Sequence, residues 1–122
     1  MSLLSNTAIE FRQAFGIANS LNGRQMQRSL IVEEFKEFLE ADQQMALMHP
    51  PDREACLKEL ADLIYVCAQY AENMDWDIEQ AIRRVHKSNM SKLGEDGKPI
   101  YREDGKVLKG PNYQPPDLSD LV

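Results

Sequence analysis

Leu30-Ile31-Val32-Glu33-Glu34-Phe35-Lys36-Glu37-Phe38-Leu39 and Leu57-Lys58-Glu59-Leu60-Ala61-Asp62-Leu63-Ile64-Tyr65-Val66-Cys67-Ala68 are the two stretches on which the fold turns. At about 100° per residue, Glu33, Glu34 and Glu37 fall within one arc of a helix, while Ile31, Phe35, Phe38 and Leu39 gather opposite. Taken alone, this is an amphipathic helix with a wet acidic face. The second stretch is apolar nearly all round, the pattern of a helix buried within a bundle. Glu59 and Asp62 interrupt it three residues apart, hence on one face, with Leu63, Tyr65 and Val66 around them. Ionised carboxylates in such a frame are costly unless paired or bound to a cation. Lys58 and Arg53 are the cations nearby in sequence, and Lys58 is expected to point away from Asp62.

Outward from these stretches, punctuation sets the elements. Pro50 stops the helix that begins near Arg24, at about Met48, because a residue preceding proline is pushed out of the helical region. Asp52 is a good N-cap for the next helix, which continues to about Asn73. A first helix is predicted from about Thr7 to Phe15, packing through Ile9, Phe11, Ala14 and Phe15 and ending at Gly16 or Asn22-Gly23. A fourth follows Asp77, with Gln80 in the capping-box position and Ile78, Ala81, Ile82 and Val85 at helical spacing; Trp76 is expected to pack against it. Four helices in about ninety residues predict an all-α, four-helix bundle-like fold. Composition shifts near Ser91, after which Gly94, Gly97, Pro99, Gly105, Gly110, Pro111, Pro115 and Pro116 exclude a regular helix. The organisation expected is therefore a helical catalytic domain over 1–93 and an irregular extension over 94–122. Asp104-Gly105 marks a small hairpin in that extension. Its apolar residues, among them Ile100, Tyr101 and Tyr113, lack a core of their own, so it closes over a site or docks on its own domain or a neighbouring subunit.

With 122 residues, the chain fits one domain. Its 20 acidic residues exceed its 14 Lys and Arg, leaving a charge of −6 and a poor surface for nucleic-acid polymers. At 43% hydrophobic and 28% charged it is globular, and no apolar run approaches the roughly 20 residues that span a bilayer. The absence of a signal-peptide pattern and the reading of Cys56 and Cys67 as small buried apolar residues point to the cytoplasm.

Two facing acid pairs make an oxygen-rich site that suits a hard cation, Mg²⁺ or Mn²⁺. His49 and His86 are not spaced for a di-iron Glu-x-x-His arrangement. A hard ion held by carboxylates commonly presents a phosphorylated substrate.

Glu33-Glu34-Phe35-Lys36-Glu37 and Glu59-Leu60-Ala61-Asp62, with 21 residues between them, resemble the E-E-x-x-E…E-x-x-D signature of the MazG-like branch of the all-α nucleoside triphosphate pyrophosphohydrolases. That superfamily also holds phosphoribosyl-ATP pyrophosphohydrolases and dimeric dUTPases. His86-Lys87-Ser88-Asn89-Met90-Ser91-Lys92 and the tail from Lys109 to Leu118 extend the resemblance over most of the chain. The resemblance implies Mg²⁺-dependent hydrolysis of a nucleoside triphosphate to monophosphate and pyrophosphate, for house-cleaning of non-standard or surplus nucleotides, by a homodimer or homotetramer. Mn²⁺ is the expected substitute metal. It implies metal ligation by Glu34, Glu37, Glu59 and Asp62, with Glu33 orienting or deprotonating the attacking water. Lys87, Asn89 and Lys92 become triphosphate contacts; Phe11 and Phe15, four apart, are candidates to stack on the base. Phosphoribosyl-ATP is the alternative substrate. A non-catalytic adapter whose acidic helices bind a basic partner is the rival from another class.

Overall fold

The computed structural model describes residues 2–122 and is all-α, with four α helices and one 3-10 helix and no sheet among the described residues. The chain forms two compact units, Met1–Ile78 and Glu79–Val122. The helices are α1 (Leu3–Ala14), α2 (Arg24–Leu47), α3 (Arg53–Asn73) and α4 (Ile78–Met90). None is long and apolar enough to cross a membrane among the described residues.

In the first unit, α2 and α3 pack against each other most extensively, with α1 against α3. The Asp52 carboxylate caps α3 by accepting from the Ala55 amide at 3.0 Å. Helices α1 and α3 end in the same device, a left-handed residue that returns the chain across the last turn. At α1 this is Gly16, with the Ile17 amide donating to the Arg12 carbonyl at 2.8 Å. At α3 it is Asp75, φ 59°, with the Trp76 amide donating to the Ala71 carbonyl at 2.9 Å. Within the first unit Trp76 meets Tyr70 of α3, with ring centroids 6.0 Å apart and planes tilted by 50°.

The face of α1 differs from the one its aromatics predict. Ala8 and Arg12 are its buried residues, whereas Ile9, Ala14 and Phe15 are exposed. A guanidinium is tolerated there because the chain surrounds it with acceptors. Arg12 donates through Nε to Asn19 at 2.7 Å, and through its Nη atoms to Gln69 (3.3 Å), Asn73 (2.9 Å) and the Ala18 carbonyl (3.2 Å). Asn73 also donates to the Ser20 carbonyl at 2.8 Å, so one network holds the α1–α2 loop on the end of α3.

The apolar α3 is not buried throughout. Its C-terminal half is covered at Ala68 and Ala71, but Leu57, Leu60, Ile64 and Tyr65 are exposed. No large side chain of the described residues is fully buried. Cys56 is half-buried and Cys67 exposed, contrary to the reading of two buried thiols.

In the second unit the extension lies on α4 of its own chain. The Ser88 hydroxyl donates to the Gln114 carbonyl at 2.7 Å, the Gln114 amide to the Ser91 hydroxyl at 3.0 Å, and Arg84 to the Asp117 carbonyl at 3.0 Å and the Asp120 carboxylate. The Gly110 amide donates to the Lys92 carbonyl at 2.8 Å, an approach so close that a Cβ would meet the Leu93 carbonyl oxygen at 2.4 Å. The predicted hairpin reduces to one antiparallel bridge, Tyr101 to Val107, around the turn at Gly105. The 3-10 helix Ser119–Leu121 ends the chain.

Candidate functional site

Glu34 on α2 and Glu59 and Asp62 on α3 each bring one carboxylate oxygen within 4.8 Å of the others. The spacing of three within α3 and the packing of the two helices produce this meeting, so residues 25 and 28 positions apart share one site. All three are half-buried. Oε2 of Glu34 and Oε2 of Glu59 are buried, and no N–H or alcohol group of the described residues donates to either. Buried acceptors without donors are costly and call for a cation or a proton.

The chain itself supplies a proton on Glu37 and an ammonium on Lys58. Glu37, one turn beyond Glu34, is pushed up to about 7, first by its hydrogen bond with Glu34 and then by the Glu34 charge, with burial and the charges of Glu59 and Glu33 adding to it. Glu33 is exposed at the edge of this group. Lys58 also faces the cluster, against the expectation that it points away: its Nζ lies 2.7 Å from Asp62 and 3.4 Å from Glu59. Four residues on along a helix is the next turn of the same face, and the lysine stem is long enough to reach it.

The donor set fits Mg²⁺ or Mn²⁺. It is all oxygen and anionic, as hard cations require. Glu34, Glu59 and Asp62 are the residues that would hold such an ion, each offering one carboxylate oxygen to it. Beside them a cleft of about 270 Å³ opens between the end of α2 and the start of α3, lined by Glu37, Glu40, Met45, Met48, Asp52 and Glu59.

The aromatic candidates sit on the first unit. Phe11 lies against Phe15 with ring centroids 4.6 Å apart and planes tilted by 37°, and meets Tyr65 of α3 edge-on at 5.8 Å. Phe15 keeps most of its ring exposed, at 69%. Tyr65 lies three residues beyond Asp62, so this aromatic group continues the acidic face of α3.

Lys87, Asn89 and Lys92 belong to the second unit. Lys87 lines a groove of about 500 Å³ between α4 and the tail, with Arg83, Arg84, Ser88 and Gln114. Asn89 is exposed, and Lys92 is half-buried, with its carbonyl holding Gly110.

The model of one protein family, described as phosphoribosyl-ATP pyrophosphohydrolase, matches residues 16–89. The match covers α2, α3 and nearly all of α4, and with them every carboxylate of the site. No curated protein matches the chain.

Proposed function

The chain belongs to the phosphoribosyl-ATP pyrophosphohydrolase family, hydrolases of phosphoanhydride bonds, and from that premise we propose that it hydrolyses nucleoside triphosphates to monophosphate and pyrophosphate in a Mg²⁺-dependent reaction. The observation that carries the reading is the meeting of Glu34, Glu59 and Asp62 around buried oxygens that lack donors. Glu37 completes the ligand set once it gives up its proton. Bound Mg²⁺ supplies charge withdrawal from phosphate oxygens and acidification of water.

The remaining work falls to the chain. Glu33, exposed beside the cluster, accepts a proton from the attacking water and aims it at the bond between the first and second phosphates. Lys87, Asn89 and Lys92 contact the triphosphate oxygens, a role drawn from the resemblance and from the charge of the ligand. Phe11 and Phe15 stack on the base, a role supported by the exposed ring of Phe15. The reaction needs no covalent nucleophile, and the sequence holds no Walker-type phosphate loop.

We further infer a homodimer or homotetramer. Support comes from Phe35 and Leu39 on α2 and from Leu57 and Ile64 on α3, all 46% exposed or more, which is apolar surface that a second copy would cover. A reducing cytoplasm suits the two free thiols.

House-cleaning of non-standard or surplus nucleotides is the role proposed. Phosphoribosyl-ATP is the second reading, favoured by the description of the matched family. The purified chain with Mg²⁺ should release pyrophosphate from at least one member of a panel of ribo-, deoxy- and damaged triphosphates and phosphoribosyl-ATP. Chromatography of an early time point tests the bond cleaved: diphosphate and inorganic phosphate as first products would contradict the proposal.

A further inference from the structure

Among the described residues, Lys58 is the one Lys or Arg within ion-pair distance of Glu34, Glu37, Glu59 or Asp62. Its ammonium bridges two members of the set, with Asp62 at 2.7 Å and Glu59 at 3.4 Å. The pairing does little for the helix. A basic residue placed four positions before an acid is the less favourable order, and exposed pairs of long side chains contribute little. Its effect falls instead on the charge of the cluster. A lysine is a cation at neutral pH, and here it stands against two carboxylates.

An ammonium and a divalent ion compete for the same carboxylate oxygens. Lys58 can withdraw without disturbing the fold, because its side chain is 65% exposed and makes no other polar contact among those described. A divalent ion repels it, and an anion brought to the site attracts it. Resting on the metal-dependent reading above, we propose that Lys58 is a displaceable counter-ion: it neutralises Asp62 and Glu59 in the metal-free protein, yields them to the divalent ion, and then pairs with the phosphate oxygens of the substrate. Metal binding alone is thereby weakened, while metal and polyphosphate each tighten the binding of the other.

The test compares the full-length protein with Lys58→Met and Lys58→Arg by thermal-shift titration, first with MgCl₂ or MnCl₂ alone. The titration is then repeated with inorganic tripolyphosphate, a phosphate chain without a base, at matched free-metal concentrations. The Met variant should reach its metal midpoint at a concentration about three- to tenfold lower than the parent. Tripolyphosphate should lower the midpoint of the parent more than that of the Met variant, and the Arg variant should follow the parent. An unchanged or higher metal midpoint in Lys58→Met, or an equal effect of tripolyphosphate on both proteins, overturns the counter-ion role and leaves the metal site standing. A parent protein that responds to neither metal overturns the metal site as well.

Discussion

The carboxyl of Glu37 is hydrogen-bonded to that of Glu34, one turn earlier on α2, and holds its proton up to about pH 7. A carboxyl raised above its ordinary value of 4.5 binds a proton more tightly folded than unfolded, so stability falls as pH rises through the window from 4.5 to about 7. The metal-free protein should therefore melt at lower temperature at pH 7.5 than at pH 5 as far as this group is concerned. Glu37→Gln, which keeps a donor toward Glu34 without the charge, should flatten that part of the profile. Saturating Mg²⁺ should flatten it in the parent. A series of melts across pH, with and without metal, measures all three.

Activity should be lost by at least about 100-fold in Glu34→Gln, Glu59→Gln and Asp62→Asn, because each removes a ligand from a set with few alternatives. Far-UV circular dichroism should remain that of a helical protein. Metal-free melting temperature should stay level or rise, since each change relieves repulsion among crowded acids. Glu33→Gln should reduce turnover while leaving the metal midpoint nearly unchanged. Full activity in the Asp62 variant would remove it from the site.

Leu57→Glu combined with Ile64→Glu places charge on the exposed apolar part of α3. Sedimentation velocity at micromolar concentration should find the parent protein as a dimer or larger and the double variant as a monomer. A monomeric parent would contradict the assembly.

Arg12→Leu should destabilise the first unit by about 2 kcal/mol, because in the interior it strands the Gln69 acceptor and takes from Asn73 one of its two donors. Arg12→Lys should recover little of this, as an ammonium cannot reproduce the planar fork that spans α3 and the Ala18 carbonyl. A double-mutant cycle between Arg12 and Asn73 should give a coupling above about 1 kcal/mol. Denaturant unfolding supplies the numbers.

These residues also mark where the sequence is legible. Pro50 and Asp52 delimit α2 and α3 because proline and an N-cap act on their immediate neighbours. Glu34, Glu59 and Asp62 are readable because the helical period places them, and two adjacent helices bring the halves together. Arg12 is not readable in that way. Whether a guanidinium can be buried depends on Gln69 and Asn73, 57 and 61 residues away, and no local pattern carries that information. Lys58 was available to the same helical arithmetic that placed Asp62, since the two are four apart. What that arithmetic omits is the length of the lysine stem. The exposure of Cys67 and Ile64 is illegible for a different reason: an apolar pattern marks a helix as one to be covered, without saying which part of it this chain covers.

The extension is held to α4 largely through its own main chain, by the carbonyl and amide of Gln114, the carbonyl of Asp117 and the amide of Gly110. Every peptide unit except the proline amide offers the same groups, so most side chains of this tail are released from holding it in place. Its sequence is thus free to vary under other pressures, provided Gly110 stays small, Asp120 stays acidic, Ser88 and Ser91 stay polar and Arg84 stays basic. Grafting a different tail onto this α4 is, for the same reason, an engineering problem confined to five positions.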